Sequence, residues 1–298
     1  MNPGIRTYHE LDEVPSDLPD QIAAQNTRVE ARLASVSRVV AVMSGKGGVG
    51  KSLISALFAT ALARRGERVG LLDADLNGPS AARLFGVEPA TLVDGPDGLE
   101  PAVSASGVRL MSMALLLEPD RALIWKDAAD AGFVWRGVQE RGAVREFLSD
   151  VAWGRLDTLL VDLPPGTQRL MELHGLVPDL TGAVAVTIPS AASRDAVARS
   201  LDLAGRRGIP VDGVIENMSG ARCGACGALG PLHAGSAGED LAGRFGAPIL
   251  ARLPFDPELA SAADGGTLDA WLAASGPDAA ALMEVAGTLF GAGVERSR

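Results

Sequence analysis

The sequence predicts an α/β fold: a single domain built on a mainly parallel, twisted sheet with helices on both faces. Three observations predict it. Short apolar, β-branched runs recur along the 298 residues with helical stretches between them, the pattern of consecutive strand–helix–strand units. Several of these runs are apolar throughout rather than alternating, as strands covered on both faces are. Apolar residues make up 47% of the chain and charged residues 21%, the balance of a packed globular protein rather than a disordered one.

Taken in order, residues 1–36 read as an N-terminal extension. An acidic leader with Glu10, Asp12, Glu13, Asp17 and Asp20 precedes a short amphipathic helix, Gln21–Leu33, expected to pack beside the first strand. Residues 37–298 form the main domain. Strands are expected over Val39–Met43, Val69–Leu72, Val108–Met111, Thr158–Val161, Ala183–Ile188, Val214–Ile215 and Ile249–Leu253. Helices are expected over Lys51–Arg64, Val138–Val151, Ala191–Leu203, Ala237–Arg244 and Asp278–Phe290. Residues 88–107, rich in Gly, Pro and Asp, read as a loop or a small hairpin, and no internal repeat or low-complexity tract is present.

The charge balance is 27 basic against 37 acidic residues, a net of −10. It argues against nucleic acid or an anionic membrane surface as a partner. No apolar run approaches the ~18 residues of a membrane span, and the leader lacks the apolar core of a signal peptide. Two cysteines make no disulfide framework. The chain reads as cytoplasmic.

Lys46, Lys51 and Lys126 are the only lysines in a chain otherwise rich in arginine. Two of them fall in one glycine-rich stretch, where a planar guanidinium cannot replace a compact ammonium. The first strand runs directly into Gly45-Lys46-Gly47-Gly48-Val49-Gly50-Lys51-Ser52 and then a helix. This is a P-loop in its required strand–loop–helix setting, and it makes the fold class that of a P-loop NTPase. Glycines let backbone N–H groups approach phosphate oxygens, and the helix N-terminus adds partial positive charge there. Lys51 is expected on the β and γ phosphates of ATP and the Ser52 hydroxyl on Mg²⁺.

Carboxylates complete the site. Asp73 and Asp75 lie in Leu71-Leu72-Asp73-Ala74-Asp75, at the end of the second strand, where parallel sheets bind ligands. Asp75 is the candidate for orienting the attacking water, and Asp73 for supporting Mg²⁺ or loop geometry; a helix-capping role fits one of the two. Asp162, in Val161-Asp162-Leu163-Pro164-Pro165-Gly166-Thr167, is the Walker B candidate for Mg²⁺. The Gly166 amide is placed to sense the γ-phosphate. Asn217, in Glu216-Asn217-Met218-Ser219, offers the donor and acceptor that match an adenine edge.

Both cysteines fall in Cys223-Gly224-Ala225-Cys226. Iron–sulfur clusters and closed zinc sites usually take four ligands, so one chain supplies half a set and a symmetric dimer a whole one. An iron–sulfur cluster bridging two copies, a zinc ion bridging two copies, and a redox or idle dithiol all fit. His233 could complete a mononuclear site, or is a surface histidine flanking a helix.

These residues resemble the Mrp/ApbC family of iron–sulfur cluster carrier ATPases. That family is a branch of the deviant P-loop class, which also contains MinD, ParA and the nitrogenase iron protein. The resemblance runs from about Val36 to Gly265 through SGKGGVGKS, LLDADLNGPS, VWRG at Val134–Gly137, VDLPPGT, ENMS, the cysteine pair and LPFDP at Leu253–Pro257. It implies that Lys46 reaches across a nucleotide-sandwich homodimer to the partner's phosphates. It implies ATP hydrolysis at Lys46, Lys51, Ser52, Asp75 and Asp162, coupled to a labile [4Fe–4S] cluster held at Cys223 and Cys226. Apo iron–sulfur proteins and a cluster assembly scaffold are the implied partners. The alternative within the class is a MinD/ParA-type positioning switch, with a structural zinc at the cysteines. Four departures from the family pattern stand out. Gln168-Arg169 replace the usual Gly-Asp, Leu53 the usual threonine, and residues 233–237 a more glycine-rich segment, while residues 118–135 are longer than usual.

Overall fold

The computed structural model describes residues 18–87, 93–116, 133–223, 225–226, 228–233, 235–274 and 276–290. Residues 1–17 of the acidic leader, Lys126, most of the 118–135 insertion and the last eight residues lie outside them, while Asp20 falls within α1. Chain order runs α1 (Leu18–Leu33), β1 (Val39–Ser44), α2 (Lys51–Arg64), β2 (Val69–Asp73) and α3 (Ala81–Leu84). Next come β3 (Asp94–Gly95), β4 (Gly98–Leu99), β5 (Ala102–Val103), β6 (Arg109–Ser112), α4 (Phe133–Asp150), β7 (Thr158–Asp162) and α5 (Arg169–His174). The chain continues through β8 (Gly182–Thr187), α6 (Ala191–Arg206), β9 (Gly213–Arg222), β10 (Leu229–Gly230) and α7 (Ala237–Phe245). It closes with β11 (Ile249–Phe255), α8 (Pro257–Asp264), α9 (Leu268–Ala273) and α10 (Pro277–Phe290).

The sheet order is β10-β9-β8-β1-β7-β2-β6-β5, with β11 also paired to β9. Every pairing is parallel except those of β5 and β10 at the two ends. Strands β1, β2, β7 and β8 are buried at every residue, which explains why they read as continuous apolar runs. Their side chains alternate between two core layers. Val40, Val42, Leu71, Leu160, Val184 and Val186 face α2, α3 and the C-terminal helices. Val39, Ala41, Met43, Leu72, Leu159 and Val161 face the layer of α1 and α4 to α7.

Helix α2 spans the residues its sequence predicts, and it is apolar on nearly every face because it lies buried against the centre of the sheet. Helix α1 is joined to the body by Val29, 1% exposed. Arg32 ties it down further, its Nε donating to Ser149 O at 3.1 Å and its Nη2 to Asp97 O at 2.6 Å. The small hairpin expected within 88–107 is β3–β4.

Two expectations need correction. β9 is ten residues long rather than two. Its polar stretch Glu216–Ser219 carries no apolar alternation, yet Glu216 pairs with both β8 and β11, Asn217 pairs with β11, and β11 pairs again at Ala221. The short helices α3, α5, α8 and α9 were not foreseen; of these α8 had a readable start, with Asp256 as N-cap accepting from Glu258 N–H at 2.8 Å and Pro257 behind it.

Candidate functional site

The parallel strands deliver their carboxyl ends to one edge, where such sheets bind ligands. β1 ends at Ser44 and α2 begins at Lys51, so Gly45–Gly50 form the loop between them. Gly50 is the N-cap of α2 with φ 84°, a left-handed conformation that favours glycine. A Cβ there would also strike the Asn217 amide, whose Nδ2 donates to the Val49 carbonyl at 3.0 Å. At the loop's other end, a Cβ on Gly45 would collide with Ala196 on α6. With Ser52, Leu53, Asp75, Ser80, Leu84 and Pro165, the loop lines a cavity of about 280 Å³.

Beneath the loop is a buried ionic cluster. The Lys51 ammonium, 6% exposed, lies 2.7 Å from Asp162 Oδ1. Asp162 also accepts from Ser52 Oγ at 2.5 Å and from Ser55 Oγ at 2.7 Å. Burial is tolerated because the opposite charges and the two hydroxyls satisfy one another. Register places Asp73 of β2 beside Asp162 of β7. Asp73 is fully buried and accepts from the backbone N–H groups of Asp75, Ser80 and Ala81 and from Ser112 Oγ. Its carboxyl is pushed up to about 6, chiefly by burial and next by the charge of Asp162, against the pull of those hydrogen bonds and of Lys51. Of the two roles expected for it, the structure shows Asp73 organising the loop that follows β2.

Lys46, Lys51, Ser52 and Asp75 are thus gathered around one cavity, with Asp162 directly below. Lys46 is exposed. Two expected contacts take another form here: the Gly166 N–H donates to Ser44 O at 3.1 Å, and the Asn217 amide holds the P-loop. Sequence reasoning missed Ser55 and Ser112. Ser55 sits one helical turn beyond Lys51 on the same face, a readable signal, whereas Ser112 comes from a different strand. The donor set fits a magnesium-bound nucleotide: hard oxygens at Ser52 and Asp162, an ammonium at Lys51, and a glycine loop opening a helix.

The cysteines occupy a different setting. β9 leads past Arg222 into Cys223, the chain turns, and β10 returns antiparallel with Leu229 opposite Arg222. Cys223 N–H closes the turn on Ala228 O at 2.8 Å. Both thiols are free and exposed. The Cys223 thiol is pulled below its ordinary range, first by the backbone N–H of Ala225, then by that of Cys226 and by the Cys226 thiol. This favours the thiolate, the form that binds metal. Among the described residues, no group of three or more His, Cys, Asp and Glu side chains could hold a metal ion, so His233 does not complete a site with the pair. No helix among the described residues is long and apolar enough to cross a membrane.

Fold and loop together define a P-loop NTPase. A structure with 33% identity, the nucleotide-binding protein of Archaeoglobus fulgidus in complex with ADP, matches 85% of this chain and 95% of its own with a TM-score of 0.71. The MinC:MinD complex of Aquifex aeolicus matches at a TM-score of 0.58 with 23% identity, over 88% of this chain and 98% of that one, which shows the fold alone. The family model described as ParA, NUBPL iron-transfer P-loop NTPase matches residues 35–290, and the chain belongs to that family. An iron-sulfur cluster carrier protein of Methanocaldococcus jannaschii is 37% identical over 84% of this chain and 83% of its own. A cytosolic Fe-S cluster assembly factor, NUBP2 of Bos taurus, is 41% identical over 78% and 85% respectively. The family is that of the Mrp/ApbC-type iron–sulfur cluster carriers.

Proposed function

We propose that the chain binds and hydrolyses ATP while carrying a [4Fe–4S] cluster shared between two copies, which it passes to apoproteins in the cytoplasm. The observation that supports this best is the pair of exposed thiols, Cys223 with depressed proton affinity, at a hairpin with no third ligand among the described residues. A second copy, related by a two-fold axis, supplies the two missing thiolates. The iron–sulfur cluster is cargo, and each chain contributes half of its ligands.

In this reading Lys51 leaves Asp162 for the β and γ phosphates when ATP enters. Ser52 and Asp162 hold Mg²⁺, which neutralises developing phosphate charge when bound. Asp75 orients the attacking water, and Lys46 reaches the partner copy's phosphates. Asn217 braces the P-loop through Val49 O, and β9 continues from it to the cysteines. One strand therefore joins nucleotide and cargo, so an ATP-dependent shift of β9 is a route by which occupancy biases cluster affinity.

Anaerobic reconstitution tests the cargo. About two iron atoms per chain and a broad absorbance near ~400 nm are expected, with both lost in Cys223→Ala. Zinc at one ion per two chains, with no iron retained, would overturn the reading.

A further inference from the structure

Arg169 opens α5 just after the Pro164–Thr167 loop. Its Nη2 lies 3.1 Å from Glu140 Oε2 on α4, and its Nη1 lies 2.9 Å from Glu172 Oε2. Glu140 is 8% exposed, and its other oxygen, Oε1, accepts from Asn77 Nδ2 at 2.7 Å. Asn77 lies two residues beyond Asp75 in the loop after β2. A single buried carboxylate is therefore bonded at once to the loop that carries Asp75 and to the first residue of the helix that follows the Pro165 loop. The space around it is nearly filled, leaving about 30 Å³ lined by residues that include Ala74, Leu163 and Pro164.

We propose that Glu140 and Arg169 are positioning residues that clamp the Asp75 loop to the loop after β7 and so hold Asp75 in its working orientation. Neither side chain lines the nucleotide cavity; both act through the loops they join. Arg169 supplies the opposite charge that so buried a carboxylate needs, while the carboxylate's other oxygen grips Asn77. The clamp gives Arg169 a role that the P-loop motifs do not. It rests on the ATPase reading above.

The test is a double-mutant cycle on the full chain: wild type, Glu140→Gln, Arg169→Gln and the double variant, each measured for ATP turnover. Glutamine at 140 keeps an oxygen for Asn77 but turns an NH2 donor toward the Arg169 guanidinium, which breaks the ion pair. Each single change is expected to lower kcat about tenfold with KM for ATP within about twofold, since displacing a catalytic group costs rate rather than binding. The double variant is expected to fall about tenfold as well, not the roughly hundredfold of independent sites. Unchanged kcat in the singles, or losses that multiply, would overturn the clamp. A wild type without turnover would sink the ATPase reading instead, and amide exchange then decides the clamp. Faster exchange over residues 75–80 in both singles supports it; unchanged exchange overturns it.

Discussion

Lys51 is 6% exposed, and its ammonium is tied to Asp162 of the same chain. Cys223 and Cys226, just beyond the end of β9, are exposed and find no third ligand among the described residues. The difference separates a site that one chain completes from one that it only begins. In the nucleotide cavity the buried charges are matched before any ligand arrives, so ligand entry exchanges partners rather than creating them. At the hairpin the backbone N–H groups of Ala225 and Cys226 already favour the Cys223 thiolate, but among the described residues no third ligand joins the pair. Lys46 belongs with the cysteines in this respect, being exposed at the edge of an otherwise buried cluster.

The sharpest way to break the contrast is Lys51→Ala. It removes the ammonium expected on the phosphates and strands the Asp162 carboxylate, leaving only the Ser52 and Ser55 hydroxyls as partners. ADP affinity measured by titration calorimetry is expected to fall at least ~100-fold. Denaturant unfolding of the nucleotide-free chain is expected to show a loss of about 3 kcal/mol, the scale of an unpaired buried charge. A variant that binds ADP like the wild type would show that the cavity is not the phosphate site.

Lys46→Ala sharpens the contrast from the other side. An exposed lysine with no buried partner contributes little to folding, so stability should stay within about 0.5 kcal/mol. If the lysine acts on a partner copy's transition state, turnover falls roughly 10²–10³-fold with ADP affinity kept. Unchanged turnover would place Lys46 among ordinary surface lysines.

Much of the first site was legible in the sequence because its chemistry is contiguous. Gly45 to Ser52 carry loop, ammonium and hydroxyl in eight residues, and the strand before them and helix after them have unambiguous periods. Asp73 and Asp162 were legible as strand-end carboxylates, although their adjacency comes from β2–β7 register, which spacing does not encode. The Glu140–Arg169–Asn77 junction was not legible, since its members come from three elements and each alone looks like a surface residue. The length of β9 was hidden for a related reason: Glu216 and Asn217 are polar yet buried, one capping α7 through Gly238 N–H at 2.6 Å and the other holding the P-loop. Local pattern shows residues that meet water or core. It does not show polar residues buried for a partner elsewhere in the chain.

A pH-dependent effect concerns what full burial of charge costs the completed site. Asp73 holds its proton up to about 6 in the fold, against roughly 3.9 in an unfolded chain. Below about pH 4 it is neutral in both states and costs nothing. Between about 4 and 6 the folded state binds more proton than the unfolded one, so this group makes stability fall as pH rises, by about 3 kcal/mol in all. Above about 6 the full cost is present. Asp73→Asn removes that slope, while its amide faces one of the backbone donors that the carboxylate accepted, a pH-independent cost of about 1–2 kcal/mol. Urea unfolding of both proteins from pH 4 to 7, without nucleotide or magnesium, reads the difference directly. The two curves should converge or cross as pH rises. Parallel curves would mean that Asp73 is ionised throughout, held by its three N–H donors and Lys51 more strongly than burial and Asp162 oppose it.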